Sequence, residues 1–154
     1  MNKKSAGILL YKLVDNGMQV FLVHPGGPFW KNKDAGAWSI PKGEFTDDEK
    51  PLDAALREFK EETNMDVAGD AIELSPVQLK SGKIVYSWAI EGDVDVSQVT
   101  CNSFVDIEWP PRSGKKLSIP EIDKGEWFTV DETKQKINPA QVALIDELME
   151  KIRG

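Results

Sequence analysis

Between Gly43 and Met65 the chain reads GEFTDDEKPLDAALREFKEETNM, a polar loop that runs into an amphipathic segment. Pro51 suits the first turn of a helix, where its missing N–H is needed least, and the spacing predicts a helix over 51–63. Leu52, Ala55, Leu56 and Phe59 form one apolar stripe, which another layer of the fold has to cover. Glu58, Glu61 and Glu62 fall on an adjoining face, with Glu58 three and four residues from the other two, so that their side chains are neighbours. Like charges there repel unless they are well solvated or share a cation. An isolated EFKEE string reads as a solvated helix face; the residues around it decide whether it is more than that.

The flanking sequence supplies the strands. Ser5 to Leu13 and Met18 to His24 are two β-rich runs, and the Asn16-Gly17 pair between them signals a hairpin turn. Residues 25–36 hold Gly26, Gly27, Pro28 and Gly36 around Phe29 and Trp30, a loop able to reach over a ligand. A short strand is expected at Ala37 to Ile40, and further strands at Val77 to Leu79, Lys83 to Ile90, Phe104 to Trp109 and Glu126 to Val130. Ser81-Gly82 marks a tight connection, Val130 to Thr133 an N-capped short helix, and Gln141 to Ile152 a last helix with apolar Val142, Ile145, Leu148 and Ile152. Strands interleaved with helices predict an α/β fold with several strands in one mixed sheet. At 154 residues, with no linker or repeat, one domain over 1–154 is expected.

With 19 Lys and Arg against 26 Asp and Glu, the net charge of −7 disfavours binding to a nucleic-acid polymer. A small anion is still compatible with the chain if a divalent metal reverses the field inside one cleft. The N-terminal Met1 to Lys4 and the apolar residues after it resemble a signal peptide only superficially, since Lys12 and Asp15 interrupt the run; a first strand is the expectation. No stretch reaches the roughly 20 apolar residues of a membrane span, and the single Cys101 has no partner for an internal disulfide. The expectation is a cytoplasmic protein with no membrane association.

Gly43, Glu49 after five residues, and Arg57-Glu58-Phe59-Lys60-Glu61-Glu62-Thr63-Asn64-Met65 after seven more resemble the Nudix box. The resemblance implies a Nudix-type α/β/α sandwich with a mixed β-sheet, and hydrolysis of a nucleoside diphosphate linked to another moiety. It implies Glu58, Glu61 and Glu62 as ligands of Mg²⁺, or of Mn²⁺, with the Gly43 carbonyl as a further ligand. Glu58 and Glu61 are the expected catalytic carboxylates, and Arg57 is expected to orient an acidic partner, Glu49. These roles agree with the chemistry: hard cations take oxygen ligands, and splitting a phosphoanhydride requires a directed water and screened phosphate charge. Asn64 stands where the family usually has Gly, and Asn is the next most tolerant residue of the left-handed conformation that ends a helix.

Trp38-Ser39-Ile40-Pro41-Lys42-Gly43 is more similar to the Nudix branch acting on dinucleoside polyphosphates or diphosphoinositol polyphosphates than to the branch acting on damaged nucleoside triphosphates. Lys42 reads either as a point charge for a terminal phosphate or as an exposed loop lysine. Trp30 is the aromatic best placed to stack on a base, with core packing as the default for Trp38, Trp88, Trp109 and Trp127. Tyr86 lies a few residues beyond the position where dinucleoside-polyphosphate members often carry Tyr. Arg112, with Lys115 and Lys116, reads as a phosphate contact or as a solubilising loop. Glu121 and Glu126 are candidates for an additional acidic ligand or base, His24 reads as a hydrogen-bonded strand-end residue, and Cys101 as an unreactive thiol.

The expected function is therefore metal-dependent hydrolysis of a phosphoanhydride in a nucleotide-containing small molecule, with dinucleoside polyphosphates favoured. The alternatives are a nucleoside triphosphate pyrophosphohydrolase, a Nudix-fold nucleotide sensor without activity, and an interaction domain with an acidic helix. The oligomeric state is open.

Overall fold

The computed structural model describes residues 3–15 and 17–153. Met1, Asn2 and Asn16, and with them the start of the leader-like segment and half of the turn pair, lie outside the described residues. Two long strands, β1 (Lys4–Val14) and β2 (Gly17–Pro25), pair antiparallel near the turn from Tyr11↔Val20 to Val14↔Gly17. Toward their other ends the two strands part, and residues 39–44 enter between them. Ser39 exchanges backbone hydrogen bonds with Val23, the Ile8 amide donates to the Pro41 carbonyl at 3.1 Å, and β3 (Lys42–Glu44) pairs antiparallel with β1 at Ser5 to Gly7.

The sheet is completed by β4 (Ile72–Gln78) and β5 (Ile84–Glu91) on one side, and β8 (Ile122–Thr129) on the other. Its order is β4-β5-β1-β2-β8, with β5 parallel to β1 and the other pairs antiparallel, so the sheet is mixed. Strands β6 (Phe104–Glu108) and β7 (Lys116–Pro120) form a separate hairpin. The strand expected at 104–109 is thus present, but it pairs outside the main sheet.

Helix α1 (Pro51–Thr63) covers one face of the sheet, and α3 (Val142–Arg153) the other. Ala54, Ala55 and Phe59 of α1 pack with Ala6, Ile8, Leu10, Phe21 and Val23. Leu144, Ile145 and Leu148 of α3 pack with Leu9, Tyr11, Val20 and Leu22. Successive strand residues point to opposite faces, so the unbroken apolar runs of β1 and β2 are those of strands buried on both sides. The result is an α/β/α sandwich, as the fold expectation had it. The short α2 (Val130–Lys136) begins at a capping box in which Thr129 accepts from the Glu132 amide and Glu132 from the Thr129 amide. Among the described residues no helix is long and apolar enough to cross a membrane.

Three expected elements differ. The strand expected at 126–130 begins at Ile122 and ends at Thr129, because Val130 opens α2 after the Thr129 cap. Residues 37–40 form no strand, only isolated bridges of Trp38 to Ile137 and Ser39 to Val23, because this segment is a wedge between strands whose other hydrogen bonds go to Asp34, Lys136, Asn138 and the Gln141 side chain. The strand expected at 77–79 begins at Ile72, with a register break between Leu74 and Val77 around Pro76; a proline on an edge strand hides the alternation that would reveal it.

The wedge requires a bare backbone opposite it. A Cβ at Gly7 would lie 2.6 Å from the Pro41 carbonyl oxygen and 2.8 Å from the Lys42 Cβ. Gly7→Ala is expected to destabilise the protein by about 1–3 kcal/mol through overpacking, measured as a lower urea midpoint with an unchanged slope.

Candidate active site

Helix α1 begins at Pro51 without a side-chain cap and ends at Asn64, whose φ of 61° is the left-handed conformation expected of it. Because Ala54, Ala55 and Phe59 must face the sheet, Glu58 and Glu62 are carried to the margin of the core, where both are buried. Gly43 faces Glu58 so closely that a Cβ there would stand 2.0 Å from its carboxyl group. Any side chain at 43 would therefore displace Glu58, which gives the box glycine a packing reason.

Arg57 organises the adjoining carboxylates. Its Nε and Nη2 donate to the two Glu49 oxygens at 2.8 and 2.9 Å, a bidentate pair, while Nη1 donates to Glu58 Oε1 at 2.8 Å and to Glu61 at 3.2 Å. The bond to Arg57 holds the Glu49 carboxyl below its ordinary range, and the Glu49 bond in turn raises the guanidinium further. Burial raises the Glu58 carboxyl, with Glu61 adding to the shift and Arg57 opposing it. Burial raises Glu62 well above the ordinary value, opposed by Lys42 and reinforced by Glu121 and Glu58. Lys42 is pushed down by burial and by Lys83, against the pull of Glu62, Glu121 and Glu44.

Glu58, Glu62 and Lys42 meet at a cavity of about 530 Å³ where β1 and β2 part. Glu58, Glu62 and Glu121 line it, as do Lys42, Gly43 and Lys83. Phe29 and Trp30 form an aromatic rim, edge to face at 5.0 Å, with the Lys33 ammonium 3.9 Å from the Phe29 ring centre. Val105, Ile107 and Ile119 of the β6–β7 hairpin add an apolar wall. His24 anchors the rim loop from beneath, with Nδ1 3.0 Å from Asp123 Oδ1 and Nε2 2.6 Å from the Lys33 carbonyl. It is a hydrogen-bonded residue near the end of β2, as its sequence position suggested.

Of the expected site residues, Glu58, Glu62, Gly43, Lys42 and Trp30 border the cavity. Glu49, Arg57 and Glu61 do not; they form the ion-pair group beside it. Arg112 is also absent from the lining. It lies in the loop joining β6 to β7, exposed, at φ 62°, with its amide donating to Glu108, so the loop turns back on its own hairpin. Lys115, Lys116 and Glu126 are not in the lining either, whereas Glu121 is. Trp38 is core, its Nε1 donating to Asp34 at 2.8 Å, and Tyr86 packs against Phe45. The partly buried Cys101 donates to the Ser103 carbonyl.

Sequence reasoning missed Ser5, Lys83 and the apolar wall. Ser5 carried a weak signal, a polar residue opening a strand otherwise buried on both faces; Lys83 carried none.

The donor set suits a hard divalent cation: two buried carboxylates, both raised by burial and by acidic neighbours, a backbone glycine against one of them, and oxygen ligands throughout. Among the described residues no three acidic, His or Cys side chains form a closed cage. A magnesium site needs none, since it uses one or two carboxylates with waters and substrate phosphates completing the shell.

The NUDIX domain family model matches residues 3–148. Comparison with curated protein sequences gives no match. Among solved structures, the chain resembles the NUDIX domain of Shewanella oneidensis NrtR complexed with ADP ribose, at TM-score 0.67 and 15% identity over 99% of this chain and 89% of that one. It resembles a C. elegans Ap4A hydrolase binary complex at TM-score 0.66 and 19% identity, over 97% and 98% of the two chains. A third relative in structure is the Nudix hydrolase RenU from M. smegmatis, at TM-score 0.62 and 18% identity, over 99% and 86%. Identities this low carry the fold, while the family model spans nearly the whole sequence. The chain belongs to the NUDIX domain family.

Proposed function

We propose that this protein, acting as a single unit over 1–154, hydrolyses a phosphoanhydride bond in a nucleotide-containing small molecule with the help of Mg²⁺, which Mn²⁺ can replace. A dinucleoside polyphosphate is the favoured substrate class. The observation that carries the reading is the mixed charge of one cavity: Glu44, Glu58, Glu62 and Glu121 line it together with Lys42 and Lys83, and Phe29 and Trp30 add aromatic faces. Nudix hydrolases generally use divalent metal ions, and an Ap4A hydrolase is among the structures this fold resembles. The net charge of −7 argues against a nucleic-acid polymer as substrate, and the lone Cys101 fits a reducing, cytoplasmic setting.

Glu58, Glu62 and the Gly43 carbonyl would hold the cation, with Glu61 reaching it after release from Arg57. The bound cation would screen phosphate charge and lower the pKa of a water. The chain's own residues supply the rest. Trp30 and Phe29 offer flat faces to a base, and Lys42 contributes positive charge toward a phosphate without a salt-bridge partner among the described residues. Arg57 and Glu49 act as positioning residues, fixing Glu58 relative to the helix and holding Glu61 until the cation draws it away. In hydrolysis the water oxygen bonds to phosphorus, the bridging P–O bond breaks toward the departing phosphate, and a carboxylate takes the water proton. Burial raises Glu58 and Glu62, the direction that a base working near neutral pH requires.

The binding-only alternative, a nucleotide sensor, is opposed by the retention of all three box carboxylates. Release of phosphate from a panel of dinucleoside polyphosphates, nucleoside triphosphates, nucleotide sugars and ADP-ribose, with and without Mg²⁺, separates the two. Mass analysis of the products identifies the bond cut; binding without turnover across the panel would sink the hydrolase reading.

Glu62→Gln and Glu61→Gln are each expected to lower magnesium-dependent kcat by at least about 100-fold while the fold persists by circular dichroism. Arg57→Lys is expected to lower kcat with a smaller change in KM, because the bidentate hold on Glu49 is lost.

The metal-free protein should show a linked pH effect. Glu62 in the folded state keeps its proton above the ordinary 4.5, so its stabilising contribution is complete below that value and is lost as pH rises through the raised one. Thermal midpoints measured in chelator from pH 4 upward, on the order of one-unit steps, should decline less in Glu62→Gln than in the parent. Added Mg²⁺ should raise the midpoint of the parent and not of the variant.

A further inference from the structure

His24 is the single histidine of the chain and is buried near the end of β2. Both of its ring nitrogens face acceptors. Nε2 lies 2.6 Å from the Lys33 carbonyl oxygen, and Nδ1 lies 3.0 Å from Asp123 Oδ1. A carbonyl and an ionised carboxylate only accept, and a neutral imidazole has one N–H to give; the imidazolium alone satisfies both partners. The surroundings compensate that charge in part. Asp123, on β8, is a half-exposed carboxylate within ion-pair distance, and the Trp38 ring stands edge to face at 5.1 Å. Lys124, opposite His24 in the β2–β8 pairing, opposes the charge from over the Trp38 ring. Asp34 is taken up by the Trp38 indole and by Lys136 of α2, and the Lys33 ammonium by the Phe29 ring.

The bond to Lys33 reaches the aromatic rim. The Lys33 amide closes a turn on the Trp30 carbonyl at 2.9 Å, so a pull on the Lys33 backbone is a pull on the residue that carries the indole. The start of the same loop is tied to β8 separately, by the Gly26 amide donating to the Glu121 carbonyl at 3.1 Å. We propose that His24, with a proton on each ring nitrogen, is a positioning residue that ties the Trp30–Lys33 turn to Asp123, so that the hold of the rim on a base weakens when the imidazole loses a proton. A hydrogen bond to a carboxylate is the stronger of the two, so the proton that remains stays on Nδ1. The Nε2 lone pair then faces the Lys33 carbonyl oxygen, the two repel, and the turn is released. Binding is therefore tightest at low pH and is lost as pH rises through the titration of the imidazole. This rests on the rim receiving a base, as in the proposed function, and adds to it a control of binding that lies outside the carboxylates.

Adenosine, which has no phosphate to titrate, probes the rim of the intact protein in chelator. The span from about pH 5.5 to 8.5 covers the ordinary charge change of an imidazole, and a single histidine gives one set of ring-nitrogen NMR signals. Expected are two protonated ring nitrogens at the low end and a neutral ring protonated on Nδ1 at the high end. Adenosine affinity should fall about three- to tenfold with the same midpoint, the loss of roughly one hydrogen bond. Asp123→Asn offers Nδ1 an amide that can donate, so a neutral ring keeps its proton on Nε2 and the fall should disappear. His24→Gln cannot titrate and should remove it too; if that variant does not fold, Asp123→Asn decides. Glu58, Glu62 and Lys42 titrate at the same cavity, but their effect survives both substitutions. A histidine that serves packing alone would leave the fall unchanged in the variants, and that result overturns the proposal. So does a neutral ring protonated on Nε2 in the parent, or an adenosine affinity that is absent or equal at both ends. Turnover on the substrate panel with pH-independent adenosine affinity removes this role and leaves hydrolysis standing. Coincident midpoints in a protein inactive on every substrate keep the role and sink the hydrolase reading.

Discussion

The insertion of residues 39–44 between β1 and β2 is the constraint on which the rest of the structure depends. A sheet that separates two neighbouring strands loses their direct hydrogen bonds, and the Pro41 carbonyl, the Ser39 backbone and β3 replace them. Gln141 fastens the same segment from the α3 side, its Oε1 accepting from the Ile40 amide and its Nε2 donating to the Ser39 hydroxyl at 3.0 Å. Buried backbone groups are thereby satisfied without closing the sheet. The opening that remains is the cavity, and Lys42 and Gly43 are held at its mouth by the strand that made it.

The electrostatics follow from that geometry. Glu58 and Glu62 sit on the helix edge nearest the opening, so they are removed from water by the same packing that buries Ala54, Ala55 and Phe59. Carboxylates removed from water beside other acidic groups are an expensive arrangement in a protein built for stability alone. Arg57 relieves Glu58, and Lys42 offsets the burial of Glu62 only in part. The charge that is left is what a cation would screen under the proposed function, and it would then set binding and stability in opposition at Glu62.

Much of this was legible in the chain. The 51–63 helix, its apolar stripe and its acidic edge follow from 3.6-residue spacing, and the left-handed end at Asn64 follows from the tolerance of Asn for positive φ. The long strands β1 and β2 were visible because strands buried on both faces read as continuous apolar runs. The edge strand β4 was shortened by Pro76, and β7, five residues that end at Pro120, is too short for its alternation to stand out. Arg112 shows the limit of composition: a basic loop in an acidic chain suggests a phosphate contact, yet its hairpin carries it outside the cavity lining, while Lys83, in no motif at all, is delivered there by its place just before β5.

The sequence by itself determined the local periodicities, the family-spaced carboxylates and the sign of the overall charge, because each depends on residues near one another along the chain or on a sum over it. Tertiary structure alone decided which charges share a cavity. Ser5, Lys42, Glu62, Lys83 and Glu121 are separated by tens of residues and meet only because β1 lies between β3 and β5 and the chain returns from the β6–β7 hairpin over the opening. Burial, which raises Glu62 and leaves the Ser5 hydroxyl without an acceptor, is a property of that assembly and has no counterpart in any short stretch of sequence.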